Sequence, residues 1–151
     1  MIGLCLGLAG VVWTQLPLSD FTLAWTHTIE KVRWEEDYRV TPTGLLLGEA
    51  RVKGSGAGME IPDGARLRDG TWHYRRQMPP LQPLRLGRTP QAGDYQLCAN
   101  GQCQPLSHWL GPPQADRPAV ELWSCAAGQG PGAARSTDSG TWRQVAQGSL
   151  L

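Results

Sequence analysis

Between residues 21 and 40 the chain alternates with a period of two and reverses its parity once. Phe21, Leu23, Trp25, His27 and Ile29 occupy one set of positions, against Thr22, Ala24, Thr26, Thr28 and Glu30. After Glu30-Lys31 the large side chains move to even positions, Val32, Trp34, Glu36, Tyr38 and Val40. Every residue between them (Lys31, Arg33, Glu35, Asp37, Arg39) is charged. Successive side chains of a strand point to opposite faces, so this pattern predicts two half-buried strands. A parity flip across a short loop keeps both apolar faces of an antiparallel hairpin on one side. With a turn at Glu30-Lys31, of two residues or four, the expected partners are Ile29 with Val32, His27 with Trp34, Trp25 with Glu36 and Leu23 with Tyr38.

Turn chemistry divides the rest of the chain. Asp69-Gly70 and Asn100-Gly101 are strong two-residue hairpin signals, because both central residues of a type I′ turn need positive φ. The first places Leu67 opposite Trp72 and Arg66 opposite His73. Further strands are expected at 45–52, 84–86 and 119–125. Met78-Pro-Pro-Leu-Gln-Pro83 reads as an extended connector, since proline cannot sit in a central strand. The fold class that follows is all-β: a small antiparallel sandwich or partly open barrel built from hairpins. One β-domain is expected over residues 1–111. Residues 112–151 form an extension with the strand at 119–125 and a Gly/Ala/Ser-rich, mobile tail. A length of 151 residues suits one domain. The formal charge of +1 excludes a wholesale polyelectrolyte partner such as duplex nucleic acid.

The first twelve residues are almost wholly apolar. Thr14, Gln15 and Pro17 interrupt the run before it reaches the ~20 apolar residues of a membrane span. No Lys or Arg precedes it, and no export signal is evident. Two readings stand: a remnant of a signal, or strands at 4–8 and 11–16 turning at Ala9-Gly10. Of the four cysteines, Cys98 and Cys103 fall opposite each other across the Asn100-Gly101 turn. As a non-hydrogen-bonded pair their Cα atoms would lie ~4.5 Å apart, close enough for a disulfide. A disulfide favours an oxidising compartment. The plainer reading is two small apolar strand residues. Cys5 and Cys125 are the remaining pair by arithmetic alone.

Few side chains suggest chemistry. His27 and Glu36 are the strongly polar groups on the apolar face of the first hairpin, and the register above makes them diagonal neighbours. A buried carboxylate needs a partner, so a His–Glu pair that fixes register is the plainer reading. A polar floor for a ligand, with Thr28 and Glu30 alongside, is the functional one. The Gly54-Ser55-Gly56-Ala57-Gly58 segment could turn backbone N–H groups toward an anion, yet it matches no nucleotide-binding fingerprint. Ser55, Gly56 and Gly58 are its candidate ligand contacts, and a tight turn is its plainer reading. Six arginines (Arg66, Arg68, Arg75, Arg76, Arg85, Arg88) face one acid, Asp69, in the middle of the chain. Glu30, Glu35, Glu36 and Asp37 cluster in the first hairpin, so near-zero net charge hides a segregated one. A solvated strand face is the plainer reading, and an anionic ligand, a lipid surface or an acidic partner the functional one. No metal site, cofactor or catalytic residue is assigned.

His27-Thr-Ile-Glu30, then Trp34-Glu-Glu-Asp-Tyr38, then Gly56-Ala-Gly58 resemble the motifs of the bacterial DUF1850 family, a domain of unknown function. That family carries His-Ser-(Val/Ile)-Glu, a Glu shortly before an aromatic, and a Gly-Ala-Gly. Thr28 stands for the usual Ser and keeps its hydroxyl. Cys5-Leu6 resembles the family's opening strand, and the resemblance spans residues 4–111. Members are often encoded beside TAXI-type TRAP transporters, tripartite uptake systems for small organic acids. The resemblance therefore implies a periplasmic or envelope accessory domain that binds a small anionic metabolite or a transporter subunit. The alternatives are a His27/Glu36-dependent hydrolase, metal-assisted or not, and a purely structural scaffold. Members usually bear an export or anchor segment, and here this chain departs from the pattern.

Overall fold

The computed structural model describes residues 2–26, 31–53, 63–126 and 141–142. Its strands are β1 (Ile2–Leu8), β2 (Val11–Leu16), β3 (Asp20–Thr26), β4 (Arg33–Thr41), β5 (Gly44–Lys53), β6 (Arg66–Arg68) and β7 (Thr71–Arg75). They continue with β8 (Leu84–Gly87), β9 (Gln96–Ala99), β10 (Gln102–Pro105), β11 (Ala119–Ala126) and β12 (Thr141–Trp142). A single helical turn, α1 (Ser107–Leu110), follows β10.

Three of the hairpins turn on two consecutive residues of positive φ. These are Ala9-Gly10 (51° and 81°), Asp69-Gly70 (51° and 77°) and Asn100-Gly101 (54° and 79°). Their twist matches that of the flanking strands, which is why type I′ turns close two-residue hairpins. The expected pairs follow, Leu67 with Trp72 and Arg66 with His73 at one turn, and Cys98 with Cys103 at another. The apolar N-terminal run is β1 and β2, with Leu4, Cys5 and Leu6 fully buried. The strand expected at 119–125 is β11. It lies inside its sheet, between β1 and β8.

Hydrogen bonding sorts the strands into two sheets, β12-β8-β11-β1-β2 and β10-β9-β3-β4-β5-β7-β6. All pairs are antiparallel except β12 with β8. The sheets do not close on themselves, so the molecule is a sandwich rather than a barrel. Its core is shared: Leu4, Leu6, Leu84, Leu86, Val120 and Leu122 from one sheet pack with Phe21, Leu23, Trp25, Tyr38, Val40, Leu45, Leu47 and Leu97 from the other. Each such side chain contributes ~1.5–3 kcal/mol when fully buried. The proline-rich connector carries the chain between the sheets. Leu81 exchanges backbone hydrogen bonds with Leu45 of β5, while the Gln82 side chain pairs with both backbone groups of Ser124 in β11.

The first hairpin has the expected faces but another register. Leu23 pairs with Glu36 and Trp25 with Trp34, two residues away from the expected partners. A slip of two leaves every side chain on its own face, so alternation cannot distinguish the registers. Aromatic contacts can: the observed register stacks Phe21 on Tyr38 (5.5 Å between centroids) and Trp25 on Trp34 (6.1 Å). The expected one would have set Trp25 against a carboxylate. Two disulfides complete the fold, Cys98–Cys103 across the β9–β10 hairpin and Cys5–Cys125 between β1 and β11. The tail expected at 126–140 lies outside the described residues beyond Ala126.

Candidate functional site

Of the residues singled out from sequence, His27, Thr28, Glu30, Ser55, Gly56 and Gly58 lie outside the described residues. Glu36 is on the inner face, 5% exposed, opposite Leu23 and Ala50. It accepts a 2.7 Å hydrogen bond from the Tyr38 hydroxyl, its neighbour two residues along the same face. The phenol satisfies one oxygen of the buried carboxylate from within its own strand, a contact that does not itself set the register between strands. Cys98 and Cys103 are joined, the disulfide reading of the two that the turn geometry allowed.

Chemistry concentrates instead on the outer face of the seven-stranded sheet. Strand β4 presents Arg33, Glu35, Asp37 and Arg39 there. Strand β5 reaches the same face through a bulge: between Glu36 and Tyr38 stands one residue, Asp37, yet between Ala50 and Leu47 stand two, Gly48 and Glu49. The extra residue switches the parity of β5, so Leu45, Leu47, Ala50 and Val52 all point inward. Arg51 is thereby turned outward, level with Glu35 and His73.

Arg51 organises this face. Its guanidinium makes a two-pronged contact with Asp37 (2.7 and 2.8 Å), and also donates to Glu35 (2.8 Å) and Glu49 (2.9 Å). The planar fork of arginine suits such multiple carboxylate contacts. Thr22 adds a 2.7 Å hydrogen bond to Asp37, Arg33 a 2.8 Å contact to Glu35, and His73 Nδ1 lies 3.1 Å from Glu49. The hydrogen bonds that Arg51 donates to Asp37, more than those to Glu35 and Glu49, push its pKa up against the opposing effect of burial. Asp37 is held below its usual range chiefly by Arg51. For Glu35, burial acts upward but is outweighed by Arg33 and Arg51. For Glu49 it is outweighed by His73 and Arg51. Carboxylates that surrender protons this readily are weak bases, so the cluster suits electrostatic binding better than proton abstraction.

Beside this network the face dips into an open recess of about 860 Å³. Asp37, Glu49 and Arg51 form part of its floor, and the β9–β10 hairpin with its disulfide forms one wall. Arg39 and Arg75 line it too. Among the described residues neither makes an ion pair or a side-chain hydrogen bond. Asp20, Asp37 and Glu49 line the recess with Arg39, Arg51 and Arg75, so acids and arginines balance; Arg51 engages Asp37 and Glu49, and Arg75 acts on Asp37 only through its charge. Sequence reading named Arg75 among its arginines but did not bring this group together. Its signal was the unbroken charge on one face of β4, but β5 could not be registered against it without the bulge.

A family model for the domain of unknown function DUF1850 matches residues 21–106. The chain belongs to the DUF1850 family. No curated protein and no solved structure matches it. The DUF1850 match runs from β3 to just beyond β10 and so takes in the seven-stranded sheet almost whole, with β8 of the other. Strands β1, β2, β11 and β12 fall outside it. Apart from Asp20, the residues that line the recess, Arg39, Arg51 and Arg75 among them, lie within the DUF1850 span.

Proposed function

We propose that this DUF1850 chain is an extracytoplasmic accessory domain that binds a small anionic ligand in the outer recess of its seven-stranded sheet. The observation that carries the reading is that Arg39 and Arg75 line the recess with no ion pair or side-chain hydrogen bond among the described residues, while Arg51 engages the floor acids Asp37 and Glu49. Arginine forks match carboxylate and phosphate oxygens, and a recess on a rigid sheet face pre-orients them at little entropic cost. Two disulfides, with every described cysteine paired, suit an oxidising compartment. No helix among the described residues is long and apolar enough to cross a membrane.

Service to a TRAP-type transporter is the biological setting we propose for this binding, and it rests on the motif resemblance. An organic acid is the ligand class such a system handles. His27, Thr28, Glu30 and Glu36, with Ser55, Gly56 and Gly58, remain a second candidate set, all but Glu36 outside the described residues.

Calorimetric titration with succinate at low salt tests the proposal. Saturable binding is expected, weakened about tenfold or more by Arg39→Gln or Arg75→Gln, the loss of one charge-assisted contact. A His27→Ala variant reports on the second set. Binding that responds to position 27 and ignores positions 39 and 75 would move the site away from the recess.

A further inference from the structure

Strand β6, Arg66–Arg68, ends the seven-stranded sheet, and all three of its residues are exposed. The type I′ turn at Asp69-Gly70 makes Arg68 and Thr71 the hydrogen-bonded closing pair. Hydrogen-bonded and non-hydrogen-bonded pairs alternate along an antiparallel ladder, so Leu67 and Trp72 are a non-bonded pair. The N–H and C=O of Leu67 therefore point away from β7, toward a side where no strand lies among the described residues. Arg66 and Arg68 share the outer face with His73 and Thr71, and neither makes an ion pair among the described residues. Between them Leu67, on the opposite face, is 54% exposed, more than any other large hydrophobic residue described.

Edge cations are a known guard against self-association, and here the guard is selective. Pairing β6 with its copy would set arginine near arginine, which is unfavourable. An acidic strand would meet the opposite outcome. We infer that β6 is an acceptor edge for an extended acidic segment of a partner protein, bound by strand addition in an acidic–apolar–acidic pattern. The apolar residue would exchange both backbone hydrogen bonds with Leu67 and pack beside its side chain. The two acids would then occupy non-hydrogen-bonded positions opposite Arg66 and Arg68, where paired Cα atoms approach to ~4.5 Å and side-chain contact is closest. A flat anionic lipid surface fits less well. It would need Leu67 and the arginines on one side, whereas the strand sends them to opposite faces.

The probe is a fluorescein-labelled peptide, Thr-Glu-Val-Glu-Thr-amide, titrated with the full chain at low salt and followed by anisotropy. A lysine counterpart and a version N-methylated at valine serve as controls. The acidic peptide should bind and the lysine peptide should not, and an Arg66→Glu/Arg68→Glu chain should reverse that preference by about tenfold or more each way. N-methylation should weaken binding, because it removes a ladder hydrogen bond. Absence of acidic-peptide binding would overturn the inference. So would indifference to N-methylation, or capture of the chain by vesicles of equal parts phosphatidylcholine and phosphatidylglycerol with no peptide bound. Arg39→Gln and Arg75→Gln chains should bind the peptide normally, so failure here and failure of the recess reading are distinguishable.

Discussion

The Arg51 guanidinium holds carboxylates from two strands; without it Glu35 would keep only Arg33, Glu49 only His73, and Asp37 would lose its ion pair. An Arg51→Met chain should lose about 2 kcal/mol of stability by chemical denaturation, less than a fully buried pair would show because the side chain is 20% exposed. The pH dependence has a definite sign. All three acids have folded pKa values below their usual 4.5, 3.8 and 4.5. Their contribution is complete above those values and disappears as pH falls through the lower folded ones. The wild type should therefore lose stability progressively below about pH 4.5, and Arg51→Met should show a shallower acid slope in the same window. At this scale the sequence was legible in part. Glu36 was correctly read as a polar residue on an apolar face. Arg51 was not found, because plain alternation from Leu45 would place it inside.

At the scale of elements, turns were readable and bulges were not. Asp-Gly and Asn-Gly carry their backbone geometry in their composition, whereas the bulge at Gly48-Glu49 arises from pairing with β4, with Gly48 inside the strand pattern as its one local cue. The first hairpin shows the same division. Its faces followed from period-two alternation, but its register depended on which aromatics stack. Gly7 tests how tightly the first sheet is set. It sits where the β1–β2 register shifts, and a Cβ there would collide with the Val11 carbonyl oxygen and crowd Trp123. Gly7→Ala should cost about 2–3 kcal/mol in thermal or chemical unfolding, as overpacking against backbone does. Gly93→Ala, with open space around it, should change little. Equal effects at the two positions would show that the sheet yields at Gly7.

For the whole molecule, the Cys5–Cys125 bridge joins strands 120 residues apart. The family match alone does not include that bridge, since both cysteines lie outside residues 21–106. Its loop is long, so on chain-entropy grounds it contributes about 5 kcal/mol, against about 2 kcal/mol for the short Cys98–Cys103 loop. A Cys5→Ala/Cys125→Ala chain should accordingly melt well below a Cys98→Ala/Cys103→Ala chain. The reverse order would mean that the denatured state is already compact. The all-β class was legible from alternation and turns. The division into two sheets was not, because it rests on β11 lying between β1 and β8, a pairing of chain ends that no local pattern encodes. The central claim is that the outer recess is a binding site, and calorimetry with succinate on wild type beside an Arg39→Gln/Arg75→Gln chain tests it most directly. The account predicts saturable heat in the first and none in the second, both chains melting alike. Equal heats in the two chains, or no heat in either, would contradict it.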